Sequence, residues 1–301
     1  MTRFFRNLAL SSVLVITCCG QTLFAQDGLA LMKVETAARP AGLGGAFVSL
    51  SGDPDGSMYN PALSVGISKF TASFGHNTYW EDIGLSSGHF SSPLNGKFFV
   101  HGGIRYASVG HLEARTSPTV APDAAFSSYD ASIKTGLSYA VTDKISAGFA
   151  LGWFLEKIDI WRGTAFNVDF GIHARVNPSL AVGASATNLG SELTLTNAGQ
   201  ESSRPISLPT TYRLGGSYTY TRYLGSLDIV SVDDDIHPHL GVEAQLNEMF
   251  SLRGGYMGNY DSKNLSAGVS FTKRNLTIDY AFVPYSDNLG SAHLFNLSFE
   301  L

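Results

Sequence analysis

The chain alternates between apolar and polar residues with a period of two from Ile67 to its end. The run AFNVDFGIHAR at 165–175 is the clearest example. From Phe166 onward its even-numbered residues are apolar, and its odd-numbered residues are polar or glycine. Alternation of this kind predicts β-strands with two unlike faces. About fourteen such runs occur, at 67–76, 82–91, 97–107, 128–139, 144–156, 165–175, 179–188, 210–220, 225–232, 238–247, 250–258, 264–272, 275–283 and 291–300.

The lengths of these runs and of their connections indicate a membrane barrel. Most runs have 9–13 residues, whereas strands of soluble sheets have about 5–6 and tilted bilayer-spanning strands about 9–11. Connections after even-numbered runs are short, and those at 108–127 and 189–209 are long. We therefore predict an all-β fold, a transmembrane antiparallel β-barrel of about 14 strands over 67–301, with a periplasmic N-terminus. The alternative, a secreted soluble β-sandwich or propeller, does not explain these lengths.

The polar positions of one predicted strand are candidates for the barrel interior. Asn167, Asp169, His173 and Arg175 lie opposite the apolar face of the run 165–175 and are predicted to face the lumen. Because polar lumen side chains are normal in such barrels, we interpret them as lining rather than as a ligand site. Aromatic residues near the predicted strand ends are expected in the interfacial girdles: Tyr79, Trp80, Tyr106, Trp153, Trp161, Tyr223, Tyr256, Tyr260 and Tyr285.

The first 25 residues have the layout of a secretory signal peptide. Arg3 and Arg6 precede an apolar run from Leu8 to Cys19, and the segment ends at Ala25. This pattern predicts cleavage after Ala25 and, with the barrel, a location in the bacterial outer membrane. A lipoprotein with cleavage before one of the two cysteines is the less favoured alternative. Both cysteines lie within the predicted signal peptide, so the mature chain is expected to have no disulfide.

Composition argues against two classes of function. After signal removal the chain has 18 Lys and Arg against 25 Asp and Glu, and such an acidic balance is atypical of nucleic-acid binders. We find no nucleophile, base and acid in a supported arrangement, so an enzyme is not predicted. The stretch DDDIHPH at 233–239 has the residue types of a metal site, but it falls on a predicted loop and is interpreted as solvated.

Residues 26–66 precede the barrel and contain GLGGAFVSLSGDPDGSMYNPALSVG at 42–66. A phosphate loop is excluded because no lysine follows the glycines, and an EF-hand loop is excluded because the glutamate at its last position is missing. We therefore predict no metal and no cofactor here, and a compact hatch segment inside the periplasmic half of the lumen. Its structural residues are predicted to be Gly42, Gly44, Gly45, Ala46, Phe47, Asp53, Tyr59, Asn60, Pro61 and Ala62.

The hatch sequence resembles the N-terminal signature of the PorV/PorQ outer-membrane proteins, relatives of the FadL-type fatty-acid transporters. The matching residues are GGAF at 44–47, the acidic turn that follows and YNPA at 59–62. Shorter matches lie downstream: ATNLG at 186–190, LPTTYRLGGSY at 208–218, LRGGYMGN at 252–259, LSAGVSF at 265–271 and IDYAFVP at 278–284. The resemblance implies a fourteen-stranded barrel with an N-terminal hatch.

Two functions are open at this point. The PorV/PorQ resemblance implies an accessory of type IX protein secretion that contacts secretion components or cargo, through the rim loops 108–127 and 189–209. The kinship with FadL implies instead a channel for long-chain fatty acids or other hydrophobic small molecules. Outer-membrane lipid is the expected surrounding partner in both cases. Transport would require an apolar cleft beside residues 42–62, and a secretion accessory would not.

Overall fold

The computed structural model describes residues 29–301, apart from 80–82, 118–120, 202–204 and 287. The predicted signal peptide and Trp80 lie outside the described residues. Fourteen long strands form one antiparallel sheet: β1 Thr71–Thr78, β2 Gly84–Asn95, β3 Phe98–Ala114, β4 Ala124–Ala140, β5 Ile145–Ile158, β6 Trp161–Arg175, β7 Leu180–Gly190, β10 Thr211–Tyr220, β11 Tyr223–Val232, β12 Asp235–Gln245, β13 Phe250–Met257, β14 Leu265–Lys273, β15 Leu276–Pro284 and β16 Ser291–Glu300. Between β7 and β10, β8 Thr196–Asn197 and β9 Gln200–Glu201 form a small hairpin.

The sheet closes into a barrel because β1 pairs with β2 on one side and with β16 on the other. Closure leaves no strand edge unpaired, as lipid surroundings require. The predicted fold class is therefore confirmed, and each of the fourteen predicted runs corresponds to one long strand. The first strand begins at Thr71, four residues later than predicted.

The predicted loop 108–127 is wrong in its extent. Strand β3 continues to Ala114 and β4 begins at Ala124, so the connection is only 115–123. Pairing between the two strands is interrupted by a bulge between Val109 and Leu112 and then resumes. A bulge shifts the alternation by one residue, and this shift hid the ends of both strands from a period-two analysis.

The two faces of the wall differ as the alternation predicts. On β6, Phe166 is 68% exposed whereas the neighbouring Asn167 is 3% exposed. Exposed aliphatic and aromatic side chains cover the outer face of the other strands as well, which is typical of a lipid-facing surface. The girdle prediction is wrong for Tyr79, Tyr260 and Tyr285, which pack against a buried apolar cluster instead of lying on the outer face.

The connections divide the barrel into two rims. The turn rim has only short connections, at 96–97, 141–144, 176–179, 221–222, 246–249 and 274–275. The loop rim has the longest ones, 115–123 and 191–210, together with the two-residue turns 159–160 and 233–234. In outer-membrane barrels the short turns face the periplasm. We use these rims to name the turn half and the loop half of the lumen.

The described part of the hatch segment, residues 29–66, consists of short helices. These are α1 Ala30–Lys33, α2 Ala38–Gly42 and two 3₁₀ helices, Pro54–Met58 and Pro61–Gly66. Each 3₁₀ helix begins with proline after an N-cap side chain: Asp53 accepts from the backbone N–H of Asp55, and Asn60 from that of Ala62. Among the described residues, no helix has the length and apolar character needed to cross a membrane.

Candidate functional site

Asp228 of β11 holds the middle of the hatch segment against the wall. Its side chain is fully buried, and one carboxylate oxygen accepts the backbone N–H groups of Phe47, at 2.7 Å, and Val48, at 2.8 Å. Hydrogen bonds to a carboxylate are stronger than those between neutral groups. Asp228 therefore satisfies two backbone donors that the hatch segment cannot pair by itself.

Asn60 forms a second anchor of the hatch segment. It accepts the Ala62 backbone N–H at 3.0 Å, and its amide nitrogen donates at 2.9 Å both to the Val48 carbonyl and to the Ile172 carbonyl of β6. One side chain thus connects two parts of the hatch segment to the barrel wall. The YNPA stretch places this asparagine directly before the proline that begins the second 3₁₀ helix.

Glycines of the wall allow the hatch backbone to lie directly against the strands. A Cβ atom at Gly255 of β13 would collide with the backbone nitrogen of Gly44, and one at Gly183 of β7 with the carbonyl oxygen of Val48. Gly44 itself has φ +61°, a conformation that favours glycine. The other wall glycines whose Cβ would meet the hatch segment are Gly148, Gly171, Gly241 and Gly268.

An ion network holds the hatch segment near the turn rim. Arg39 donates to Asp53 at 3.1 Å and to Glu243 of β12 at 3.3 Å. Glu243 in turn accepts from Arg253 at 2.5 Å, and Arg253 contacts Asp279 at 2.8 Å. Because these groups are largely enclosed, removing one partner would leave another charge unpaired in a poorly hydrated site.

Two polar pits open beside this network. One has a volume of about 400 Å³ and is lined by residues such as Ser49, His173 and Gln245. The other has about 360 Å³, and Thr71 and Arg274 are among its lining residues. Both pits border Arg39 and Glu243. These two cavities beside residues 42–62 are therefore polar, and neither of them forms the apolar cleft that we expected for transport.

Among the described residues, the larger of two buried apolar clusters lies in the loop half of the lumen, and the smaller one, formed by Leu43, Phe47, Leu50 and Tyr59, lies within the hatch segment. Leu29, Leu31 and Met32 of the hatch segment are buried in the larger cluster against side chains from the wall and from the connection 191–210. We call this group the apolar cluster. Its other buried members are Ala38, Ala41, Tyr79, Leu85, Phe154, Ala165, Leu193, Leu208, Met257, Ala281, Val283, Ala292 and Leu294.

A small cationic cavity lies between the apolar cluster and the part of the hatch segment that fills the turn half of the lumen. It has a volume of about 40 Å³ and is lined by Arg105, Lys134 and Arg213 together with Glu35 and Tyr59. Among the described residues, neither Arg105 nor Arg213 has a carboxylate oxygen within 4.0 Å, the limit for a salt bridge, although Arg213 lies over the Tyr59 ring at 5.3 Å. The cavity therefore has two positive groups available to an anion.

Lys134 differs from the two arginines because it is fully paired. Its ammonium donates to Asp169 at 2.6 Å and to Asn188 at 2.7 Å. Asp169 also accepts the backbone N–H of Asn188, at 2.7 Å. Asn188 has φ +61° at a bulge between β6 and β7, so this polar cluster stabilises an irregular point of the wall.

Glu35 is the acidic group at the cationic cavity. Burial raises the pKa of Glu35 above its ordinary value, while the charges of Lys263, Arg213 and Arg105 act to lower it. Burial also lowers the pKa of Lys263, whose ammonium lies 4.7 Å from the Tyr260 ring centroid. The site thus contains an acid and a base whose charged forms are both disfavoured by enclosure.

The four lumen residues predicted from sequence lie at different heights. Asn167 and Asp169 are buried in the middle of the wall, and His173 is 6% exposed beside the hatch segment. Arg175 is exposed at the turn rim, where it lines a polar pit. The structure therefore brings only Asp169 into the cationic cavity's polar cluster. The sequence did not lead us to predict Arg105, Lys134 and Arg213 as site residues. The one feature that could have identified them is a basic residue at a polar, lumen-facing position of an alternating run.

The hatch residues predicted from sequence are buried, except that Asp53 is half-buried. The interpretation of 233–239 as a solvated loop is wrong beyond Asp234, because β12 begins at Asp235. His237 and His239 face inward and contact Tyr260, by stacking at 3.9 Å and by a 3.0 Å hydrogen bond respectively. In the part of the chain that the structure describes, no group of three or more His, Cys, Asp or Glu side chains could hold a metal ion.

Comparison with solved structures shows a shared fold. The toluene transporter TodX of Pseudomonas putida has a TM-score of 0.63 at 13% identity, covering 88% of this chain and 97% of TodX. A FadL homologue of Pseudomonas aeruginosa has a TM-score of 0.58 at 12% identity, covering 88% of this chain and 98% of the homologue. No family model and no curated protein matches the sequence. The chain thus shares the fold of these two proteins, which in this chain is a closed antiparallel β-barrel of fourteen long strands.

Proposed function

We propose that this protein is an outer-membrane channel for the uptake of hydrophobic small molecules. The apolar cluster supports this proposal most directly, because it is the larger of the two enclosed apolar regions that the described residues form inside the barrel, and it includes side chains of many wall strands. Leu29, Leu31 and Met32 occupy the region in this structure. A hydrophobic ligand would replace these side chains, and the exchange leaves the apolar wall buried.

The cationic cavity favours long-chain fatty acids among such ligands. It lies directly beneath the apolar cluster, so an acyl chain in the cluster would bring its carboxylate to Arg105 and Arg213. A guanidinium pairs strongly with a carboxylate in an enclosed site. An uncharged hydrocarbon would use the cluster alone.

The role in type IX secretion stays a prediction. The loop 108–127 that we expected to contact partners is reduced to 115–123, and much of 191–210 is engaged with the apolar cluster through Leu193 and Leu208. A deletion strain that loses proteins with type IX sorting domains from its surface would favour this role over uptake.

The test compares two leucines of one strand in the purified barrel. Leu294 of β16 is fully buried in the apolar cluster, whereas Leu297 is 42% exposed on the outer face. We expect saturable binding of oleate and of hexadecane, weakened about tenfold or more by Leu294→Asn and unchanged by Leu297→Asn, since each buried apolar side chain contributes roughly 1.5–3 kcal/mol. Arg105→Gln should weaken oleate binding and leave hexadecane binding intact. Absence of saturable binding for both ligands would contradict the proposal.

A further inference from the structure

Two carboxylates face each other across neighbouring strands near the loop rim. Asp130 of β4 is the direct pairing partner of Glu156 of β5. Both belong to the lumen-facing series of their strands, and Glu156 is only 7% exposed. One oxygen of each, Oδ1 of Asp130 and Oε2 of Glu156, is buried without a hydrogen-bond partner. Neither group takes part in the site described above.

Within the ranges that the structure describes, this pair has no cation of its own. Among the described residues, no Lys, Arg or His nitrogen lies within 4.0 Å of either carboxylate, the limit for a salt bridge. The adjacent Lys157 belongs to the outer face, and its ammonium lies 5.5 Å from the Tyr129 ring centroid. Like charges directly opposite in a sheet are destabilising, and buried charges are normally paired or bound to a metal. A bound cation or a shared proton would relieve this repulsion.

The connection 191–210 brings a backbone carbonyl oxygen to the strand position next to Glu156. Gly163 of β6 is the pairing partner of Glu156 on its other side. A Cβ atom at Gly163 would lie 2.7 Å from the carbonyl oxygen of Thr194. Carboxylate and carbonyl oxygens are the ligands that Ca²⁺ takes, at irregular geometry and with water completing the shell. Mg²⁺ requires a stricter octahedral arrangement.

We propose that Asp130 and Glu156 bind a calcium ion together with the Thr194 carbonyl. The ion would neutralise the carboxylate pair and hold the connection 191–210 against the wall, above the apolar cluster that Leu193 and Leu208 help to form. With two carboxylates as its charged ligands, the site should bind Ca²⁺ in the range of about 10⁻⁴–10⁻³ M that is typical of extracellular modules.

The experiment measures calcium binding to the full-length barrel purified in detergent and freed of metals with a chelator. Terbium is the probe, since Trp161 near the same rim can sensitise its luminescence, and calcium is then used to displace it. Thermal unfolding with and without 5 mM calcium, about five times the weakest affinity expected, is the second readout. The variants are Asp130→Asn, Glu156→Gln and the double substitution, and the control is Glu192→Gln, at an exposed position of the same connection.

We expect each single substitution to weaken terbium and calcium binding about tenfold or more, and the double substitution to abolish the thermal shift. Because Asn and Gln keep the shape and remove the repulsion, the variants should fold without calcium at least as well as the parent. Glu192→Gln should bind as the parent does. A parent protein that shows no calcium-dependent shift and becomes more stable on acidification would overturn the proposal in favour of a shared proton. Equal binding by the double variant would overturn it as well.

Discussion

The two halves of the lumen are filled by the same segment in different ways. In the turn half, directional contacts join the hatch segment to the wall, through Asp228, Asn60 and the ion network of Arg39, and a small apolar cluster lies within the segment itself. In the loop half, Leu29, Leu31 and Met32 make apolar contacts. Directional bonds require the same partner in the same place, whereas apolar contact accepts any molecule of similar shape. The comparison indicates that the hatch residues in the turn half are fixed, whereas those in the loop half can be exchanged for a ligand.

The largest effect is expected from Gly255→Val. The new side chain would collide with the backbone of Gly44, and overpacking of such a contact costs about 3 kcal/mol or more. We expect the hatch segment to be displaced from the turn half, so that ion conductance in planar bilayers rises strongly.

The control is Gly254→Val, whose side chain would point to the outer face, where the nearest atom is 3.7 Å away on Val242. This variant should keep the low conductance of the parent. Equal conductance in the two variants would show that the hatch segment does not depend on close backbone contact.

Asp228→Ala tests the directional contacts with a smaller change. It leaves the N–H groups of Phe47 and Val48 without an acceptor, and an unpaired buried donor costs about 1–3 kcal/mol. We expect a lower midpoint of urea unfolding in micelles and faster proteolysis of the hatch segment.

Asp228→Asn is the matched variant, because its uncharged amide oxygen can still accept both N–H groups, although more weakly than a carboxylate oxygen does. An intermediate midpoint is expected for it. If both variants unfold with the parent, the carboxylate is not an anchor.

The smallest effect concerns Glu35, at the boundary between the halves. Its pKa is raised above the ordinary 4.5 by burial. The protonated form is therefore favoured in the folded state, and the associated stability is present below pH 4.5 and is lost as the pH rises through the raised pKa. Glu35→Gln should thus be more stable than the parent at pH 8, with the difference in unfolding midpoint disappearing toward pH 4. A difference independent of pH would contradict this assignment, and Glu192→Gln serves as the exposed control.

The strands were predictable from sequence because the alternation of apolar and polar residues along each strand depends only on that strand's own two faces. Phe166 and Asn167 alternate regardless of what lies across the lumen, so strand number, length and wall orientation follow from period two. The ends of β3 and β4 beyond the bulge were not predicted, because a bulge interrupts the period-two alternation. The histidines at 237 and 239 escaped because the charged run before them was read as part of the same loop.

The candidate site was less predictable because it depends on contacts far apart in sequence. Arg105 and Lys134 lie on the paired strands β3 and β4, and only barrel closure brings Arg213 of β10 to them. Tyr79 was expected in a girdle, yet it donates to the Glu35 carbonyl at 2.5 Å. Alternation indicates that a side chain points inward, but it does not indicate which partner it meets.

The wall glycines have a consequence for the order of assembly. A strand backbone that lies against the hatch backbone, as at Gly183 and Gly255, leaves no gap through which a chain with side chains could later be threaded. The hatch segment precedes every strand in the chain, and the barrel is completed only when β16 pairs with β1. The last seam should therefore close around a hatch already in position, so that variants with a weakened hatch accumulate as open, slowly maturing sheets.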